Sequence, residues 1–328
     1  MKRTRTNHLR NIVGGLLACA LASPALAQQA TPPAYPNRPV TIVLPFGPGS
    51  GTDLVGRFLA QRLSEALGRP VPIENKPGAN GSLAATHVAN ARPDGHTLFI
   101  GTNSTHGANP ALQRQMTYDP IGNFAPITRI AVFTSIIVVH PKVPVADMKQ
   151  LIAYGKENEL TLATGNASGV VMGETLARAV GWKVLRVPYK SNPQAMQDVV
   201  AGRVSMMFSD IAASLGQVNA GALRPVAVTS RVRSTLMPNV PTVEESGVPD
   251  YDLSGWIGLF APAGTPAPII DRLNAEVSRI LREPDVRAKL GEIGAEALPM
   301  SASEFGSWVQ AEVNKWTKLV REAGIQPE

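Results

Sequence analysis

The sequence predicts an α/β fold in two domains, and three observations carry that prediction. Strand-like and helix-like patterns alternate from Val40 onward. Two strands run into glycine-rich turns that open helices, once through Pro45-Phe46-Gly47-Pro48-Gly49-Ser50-Gly51-Thr52-Asp53 and again through Thr164-Gly165-Asn166-Ala167-Ser168-Gly169. Beyond the leader, about 300 residues remain, more than one hydrophobic core usually encloses. Alternation of this kind implies parallel strands joined by right-handed crossovers.

Positions 1–27 read as a secretory signal. Lys2, Arg3, Arg5 and Arg10 form a basic head, Ile12 to Leu21 an apolar core, and Ala25-Leu26-Ala27 a cleavage pattern. The apolar run is too short to span a bilayer, and no later segment reaches roughly 18 uninterrupted apolar residues, so a soluble, periplasmic mature chain is expected. Leu17-Ala18-Cys19 offers a loose lipobox as an alternative, with a lipid anchor on Cys19. Cys19 is the single cysteine, and cleavage at Ala27 removes it, along with any disulfide, thiolate metal site or thiol nucleophile. Four of the 31 basic residues and none of the 25 acidic ones lie in the leader, so the remainder carries +2. That balance argues against a nucleic-acid partner.

A Pro-rich stretch from Thr31 to Pro39 precedes the first strand. The first helix runs from about Thr52 to Leu67, with Leu54, Val55, Phe58, Leu59, Leu63, Ala66 and Leu67 on one broad face, and Gly68 and Pro70 stop it. Val71 to Glu74 reads as a strand, Gly78 to Ser82 as a turn, Leu83 to Ala91 as a helix, and Thr97 to Gly101 as a third strand after Pro93-Asp94-Gly95. A second unit follows. Thr134 to His140 is a continuous apolar strand, and a helix holds Met148, Leu151, Ile152 and Tyr154. Strands at 160–164, 184–188 and 204–209 then alternate with helices at 173–180 and 193–201. Pro225 to Thr229 adds a strand, and Leu236 to Pro249 is a Pro-rich connection. Trp256 to Phe260 reads as a strand returning to the first sheet, followed by a helix carrying Ile269, Ile270, Leu273, Val277, Ile280 and Leu281. Ser301-Ala302-Ser303-Glu304 is a capping box, and the helix it opens is expected to bury Phe305, Trp308, Val309, Val313, Trp316 and Val320.

The chemistry-bearing candidates are loops. A turn that opens a helix presents backbone N–H groups at the positive end of the helix dipole, where a carboxylate or phosphate is welcome. In the first loop Phe46, Gly49, Ser50, Gly51 and Thr52 are candidate ligand contacts, and Asp53 is either a helix cap or a contact. Asn103, Ser104 and Thr105 follow the third strand, at the edge where open α/β sheets place ligands. Thr164, Gly165, Asn166, Ala167 and Ser168 form the second loop. Lys190 pairs either with a substrate carboxylate or with a nearby acid, and Asp210 either holds the loops of the second unit or accepts a ligand donor.

Competing chemistries lack their motifs. Gly47 and Gly49 begin a dinucleotide fingerprint, but Thr52 stands at the third glycine position, and no G-x-x-x-x-G-K-[ST] occurs. No G-x-S-x-G elbow occurs, and His87, His96, His106 and His140 show no ligand spacing. No cofactor or metal is expected. Two anion-cradling turns without a nucleophile–base pair point to capture of small acids rather than to an enzyme.

The motifs, in order, resemble the Bug family of solute receptors of tripartite tricarboxylate transporters. The matching segments are Tyr35-Pro36-Asn37-Arg38-Pro39-Val40-Thr41-Ile42-Val43 into the first glycine loop, Glu74-Asn75-Lys76-Pro77-Gly78-Ala79-Asn80-Gly81, Pro93-Asp94-Gly95-His96-Thr97-Leu98 and Val187-Pro188-Tyr189-Lys190. They continue through Val240-Pro241-Thr242-Val243-Glu244-Glu245-Ser246-Gly247 and Ala261-Pro262-Ala263-Gly264-Thr265-Pro266. The chain departs from the family pattern at Ser191, where a glycine often follows Tyr-Lys, and at Gly49-Ser50-Gly51, where two adjacent glycines are common. The resemblance implies a type II periplasmic-binding-protein fold, with 31–130 plus 251–328 as one domain and 131–250 as the other. It also implies a ligand carboxylate held between Phe46–Asp53 and Thr164–Ser168, a monomer, and integral-membrane permease subunits as partners. A periplasmic sensor for the same ligands, or a carboxylate-acting enzyme, are the alternatives.

Overall fold

Thr41–Leu44 (β1) has apolar layers on both faces, and Val40, Ile42, Val43 and Leu44 are fully buried, as a strand inside a parallel sheet must be. The computed structural model describes residues 35–327; the predicted leader, its cleavage site and Cys19 lie outside them. β1 leads into α1 (Gly51–Leu67), whose N-cap is Ser50 and whose end is Gly68 in the left-handed conformation. β2 (Ile73–Asn75), a 3-10 turn at Ala79–Gly81, α2 (Ser82–Ala89) and β3 (Thr97–Thr102) follow, and β1 pairs in parallel with both β2 and β3. A π-helical turn at Asn103–Ala108 and the short α3 (Asn109–Leu112) leave the end of β3. The sequence pattern shows no strand between Gly101 and Thr134, yet Phe124–Phe133 forms the ten-residue β4.

The second sheet is built from β5 (Ser135–Val139), β6 (Leu160–Thr164), β7 (Val184–Pro188), β8 (Met206–Asp210) and β9 (Arg224–Val228). Its helices are α4 (Met148–Glu157), α5 (Ala167–Val180), α6 (Asn192–Val200) and α7 (Ile211–Asn219). Strand order is β7-β6-β8-β5-β9, with β6 parallel to its neighbours and β5 antiparallel to both of its own. The chain then returns through β10 (Gly255–Pro262), α8 (Ala267–Arg282), α9 (Pro284–Glu292), β11 (Ala295–Ala297) and α10 (Ala302–Glu322). The first sheet is ordered β11-β4-β10-β3-β1-β2, with β10 antiparallel to β3 and β4. α5 begins at Ala167 rather than near Gly173, so the second glycine-containing loop opens its helix directly.

Each sheet carries apolar layers on both faces. Leu44, Ile100 and Leu259 pack with α1 and α8, while Val43, Phe99 and Phe260 pack with α2 and Phe305 of α10. Ile137, Leu162 and Phe208 pack with α4 and α5, and Ile136, Ala163 and Met207 with α6 and α7. α10 belongs to both halves: Phe305 and Val309 join the first-sheet core, Trp316 and Val320 the second-sheet core. Tyr251 and Leu253, grouped by sequence with the first domain, also pack in the second-sheet core. Trp308 and Val313 are only half-buried; the interior position between them goes instead to Glu312, which is 8% exposed. Its Oε2 accepts from the indole N–H groups of both Trp256 and Trp316 at 2.9 Å, which is why a carboxylate is tolerated there. No helix among the described residues is long and apolar enough to cross a membrane.

Candidate functional site

Both glycine-containing loops and the end of β3 converge where the two halves touch. Thr102 caps the π-helical turn, its hydroxyl accepting from the amides of Ser104 (3.1 Å) and Thr105 (3.3 Å), and the Thr105 hydroxyl accepts from the Thr102 amide at 2.9 Å. Thr105 is therefore spent on shaping the turn. The turn aims Asn103 and Ser104 across to the N-terminus of α5. Asn103 Nδ2 donates to Ser168 Oγ at 2.7 Å, the hydroxyls of Ser104 and Ser168 lie 2.6 Å apart, and the Ser168 amide donates to Ser104 Oγ at 3.1 Å. Asn103 Oδ1 accepts from the Trp256 amide at 3.3 Å, so one side chain ties β10 to the opposite half.

The first loop spends much of its donor capacity on the protein's own groups. Ser50 Oγ accepts from the Asp53 amide at 3.2 Å. Asp53 turns back into its own loop, where it accepts from the Gly49 amide (3.0 Å), Arg57 Nε (3.0 Å) and Asn75 Nδ2 (2.9 Å). Burial pushes its carboxyl up, but those three partners outweigh burial and hold it below the ordinary carboxylate range. Asp53 thus braces its own loop from the first turn of α1, behind the Ser50 N-cap. Gly49, at φ +82, makes the turn possible. The Gly51 amide, the first of α1, donates across the interface to Asp210 Oδ2 at 3.2 Å. Asp210 ends β8 and is half-buried; the loss of hydration pushes its pKa up to about 6, opposed by the Gly51 hydrogen bond.

In the second loop Asn166 Oδ1 caps α5 by accepting from the Gly169 amide at 2.8 Å, and the Thr164 carbonyl accepts from the Tyr189 amide at 2.8 Å. Gly165 has no room for a side chain, because a Cβ would run into the backbone of Ser191 and Asn192. Between the loops lies a cavity of about 30 Å³, space for one or two waters. Of the residues singled out in the sequence, Phe46, Ser50, Thr52, Asn103, Ser104, Asn166, Ser168 and Asp210 line it. Gly49, Gly51, Asp53, Thr105, Gly165 and Ala167 stand behind that lining as turn and helix-start residues. Thr164 lines a separate cavity of about 390 Å³, shared with Asn80, Gln113 and Tyr189. Lys190 is exposed and outside both cavities, because it precedes α6 on the solvent side of the turn.

Sequence reasoning missed Ser135, Asn192 and Ser209, which complete the polar lining, and Phe133, Met172 and Phe208, which supply its apolar part. Asn192 was the most legible of these, since Ser191-Asn192-Pro193 is a helix-start pattern. The lining is rich in hydroxyls and amides, with Asp210 as its single ionisable side chain among the described residues. His106 lies outside it. Burial drives its pKa down to about 3, and it is stacked on Phe260 with ring centroids 4.2 Å apart, so it is a neutral core residue. No cluster of three His, Cys, Asp or Glu side chains suited to a metal occurs among the described residues. Such a surface offers neutral hydrogen bonds and two helix N-termini, the chemistry that holds an organic anion without a buried cation.

Comparison with known proteins follows the same direction. Residues 55–325 match the family described as the tripartite tricarboxylate transporter family receptor. The chain is 31% identical over 318 residues to the UPF0065 protein in the tcbD-tcbE intergenic region of Pseudomonas sp. strain P51, covering 95% of this chain and 94% of that one. It resembles the R. palustris protein Rpa4515 solved with adipate, at 35% identity and a TM-score of 0.87 over 90% of this chain and 100% of that one. MatC of Rhodopseudomonas palustris, solved with bound malate, is 34% identical with a TM-score of 0.82 over 87% of this chain and 100% of that one. The chain belongs to the tripartite tricarboxylate transporter receptors, the solute-binding proteins of the Bug and TctC type.

Proposed function

We propose that this protein captures a small organic acid between two lobes in the periplasm and hands it to the permease subunits of a tripartite tricarboxylate transporter. In this reading the lobes are 31–130 with 251–328 and 131–250, and Trp316, Val320, Tyr251 and Leu253 of the first pack against apolar residues of the second. The observation that carries the reading is the shared polar lining. Ser50, Thr52, Asn103 and Ser104 come from one half and Asn166, Ser168 and Asn192 from the other, so a bound acid touches both. The related proteins solved with adipate and malate support a carboxylate as the solute. A cavity of about 30 Å³ admits no such molecule while Ser104 and Ser168 are in direct contact, so the halves part to load it. A ligand that bridges both lobes then favours the closed arrangement by its differential affinity, and the permease reads that arrangement.

Thermal unfolding against acetate, adipate, malate, citrate, glutamate and benzoate tests this. A true ligand at about 100 times its Kd adds roughly 2.7 kcal/mol. No rise in melting temperature with any of the six would overturn the carboxylate reading.

A further inference from the structure

The carboxylate of Asp210 reaches across the interface and sits on the first amide of α1, the position at which a helix dipole best holds an anion. It is the protein's own anion in a seat suited to a ligand's. A Cβ on Gly51 would lie 2.6 Å from Asp210 Oδ2 and 2.8 Å from its carboxyl carbon, so carboxyl and helix start are in close contact, with no space for a second carboxylate between them. The cavity in front of Asp210 holds no other ionisable side chain among the described residues, and neither does the smaller one of about 10 Å³ behind it.

Charged groups on the surrounding elements are engaged elsewhere. On α1, Arg57 is bound to Asp53 at 3.0 Å, and on β4, Arg129 lies over the Trp308 ring at 4.9 Å. Asp198 of α6 pairs with Arg203 at 2.6 Å, Arg224 of β9 donates to the Val143 carbonyl at 3.2 Å, and Glu296 of β11 is exposed. α7 and β5 carry no charged residue. Glu174 of α5, the helix that also packs on β8, lies 3.3 Å from Arg186. Among the described residues no side-chain cation lines either cavity to balance two carboxylates, and two like charges in one desolvated site do not both ionise.

Resting on the carboxylate-capture reading, we propose that Asp210 is a specificity-determining competitor for the ligand's carboxylate, displaced from the Gly51 amide only as it takes up a proton, so that capture is proton-coupled. The proton comes from solvent and ends on the Asp210 carboxyl. As a neutral acid, Asp210 turns from a repelling anion into a hydrogen-bond donor toward the incoming carboxylate. The raised pKa of Asp210 makes this uptake accessible near neutral pH.

Calorimetric titration of the full protein with adipate and with malate, in two buffers of different ionisation enthalpy from pH 5 to 8, tests the proposal. In the wild type, close to one proton is taken up per ligand at pH 8. Affinity weakens above pH 6 by up to about tenfold per pH unit relative to Asp210→Asn, which carries the same ligand titration without the competitor. Asp210→Asn binds at pH 8 roughly 10 to 100 times more tightly than wild type, with no uptake at this site. Should the variant fail to fold, the wild-type proton count decides by itself. Absence of uptake in the wild type, or weaker binding by Asp210→Asn at pH 8, overturns the proposal and leaves carboxylate capture standing. Tighter binding of glutamate by the wild type than by Asp210→Asn, with adipate and malate unaffected, also overturns it, by making Asp210 an ammonium acceptor. If neither protein binds adipate, malate or glutamate at any pH, the capture reading itself falls and the proposal with it.

Discussion

Adding one methyl group at Gly51 tests whether the two halves must come into direct contact to hold a ligand. Gly51 is the first residue of α1 and has an ordinary helical backbone, so alanine there is conformationally welcome and gains up to about 1 kcal/mol of helix propensity. The added Cβ, however, would stand 2.6 Å from Asp210 Oδ2, 2.8 Å from its Cγ and 3.1 Å from its Cβ. Turning the Asp210 side chain relieves the first two contacts, as happens when a ligand displaces its carboxyl, but not the third; the two surfaces still have to retreat by roughly 0.3 Å, at the low end of the about 1–3 kcal/mol that overpacking costs. That cost falls only on the arrangement in which the halves touch. Gly51→Ala is therefore expected to melt within a few degrees of wild type in ligand-free buffer, yet to bind adipate or malate about 5 to 10 times more weakly, at 1.4 kcal/mol per decade. Isothermal titration gives the affinity, and solution X-ray scattering with and without ligand reports the closure. An affinity within about twofold of wild type, with the same ligand-induced compaction, would refute the reasoning.

Three further outcomes follow from the packing. Glu312→Leu strands two buried indole N–H groups at about 1–3 kcal/mol each, so urea unfolding should show a loss of about 2–6 kcal/mol, and a loss below about 1 would mean the Glu312 bridge is not structural. Gly165→Ala drives a methyl into the Ser191–Asn192 backbone, which has no rotamer to yield; the expected cost of about 1–3 kcal/mol should lower the melting temperature by several degrees, and a melting temperature unchanged within about one degree would contradict it. Asp210 gives a pH signature in stability as well as in binding. Its native pKa of about 6 lies above the ordinary carboxyl value, so the folded state binds more protons than the unfolded one between about pH 4 and 6, and stability falls as pH rises through that window. Asp210→Asn should therefore become progressively more stable than wild type, by about 2–3 kcal/mol at pH 8; a constant difference from pH 4 to 8 would sink that assignment.

Much of the fold was legible because apolar runs and helix punctuation coincide with the elements. Leu160–Thr164 is a strand of the second sheet, Gly68 ends α1, and Ser301 with Glu304 forms the capping box. β4 stayed hidden because Pro126 and Arg129 interrupt its pattern: a proline demotes a central strand on sequence grounds, yet this one pairs with Phe260 across a register irregularity of β10. β11 is three residues long and α9 weakly amphipathic, so neither rises above its surroundings. For the site, loops were easier to find than roles. Helix-opening turns announce themselves locally, whereas the partner of Asp210 is 159 residues away and that of Ser168 is 64 away. Lys190 drew attention for its charge, but charge says nothing of which side of a turn it occupies. Glu312 is the opposite case: a carboxylate on an amphipathic helix reads as solvent-facing until two indoles, one of them 56 residues distant, converge on it.

The last helix supplies Trp316 and Val320 to a core whose other members begin near Ala108. A polypeptide emerging N-terminus first, from a ribosome or an export channel, therefore has most of that hydrophobic interior available long before the residues that seal it. Until position 320 has cleared the exit, the partly assembled interior keeps an apolar wall uncovered. Vectorial synthesis of this chain thus delays completion of its native core almost to the final turn of the C-terminal helix, and a chain cut short before Trp316 would lack the residues that seal it.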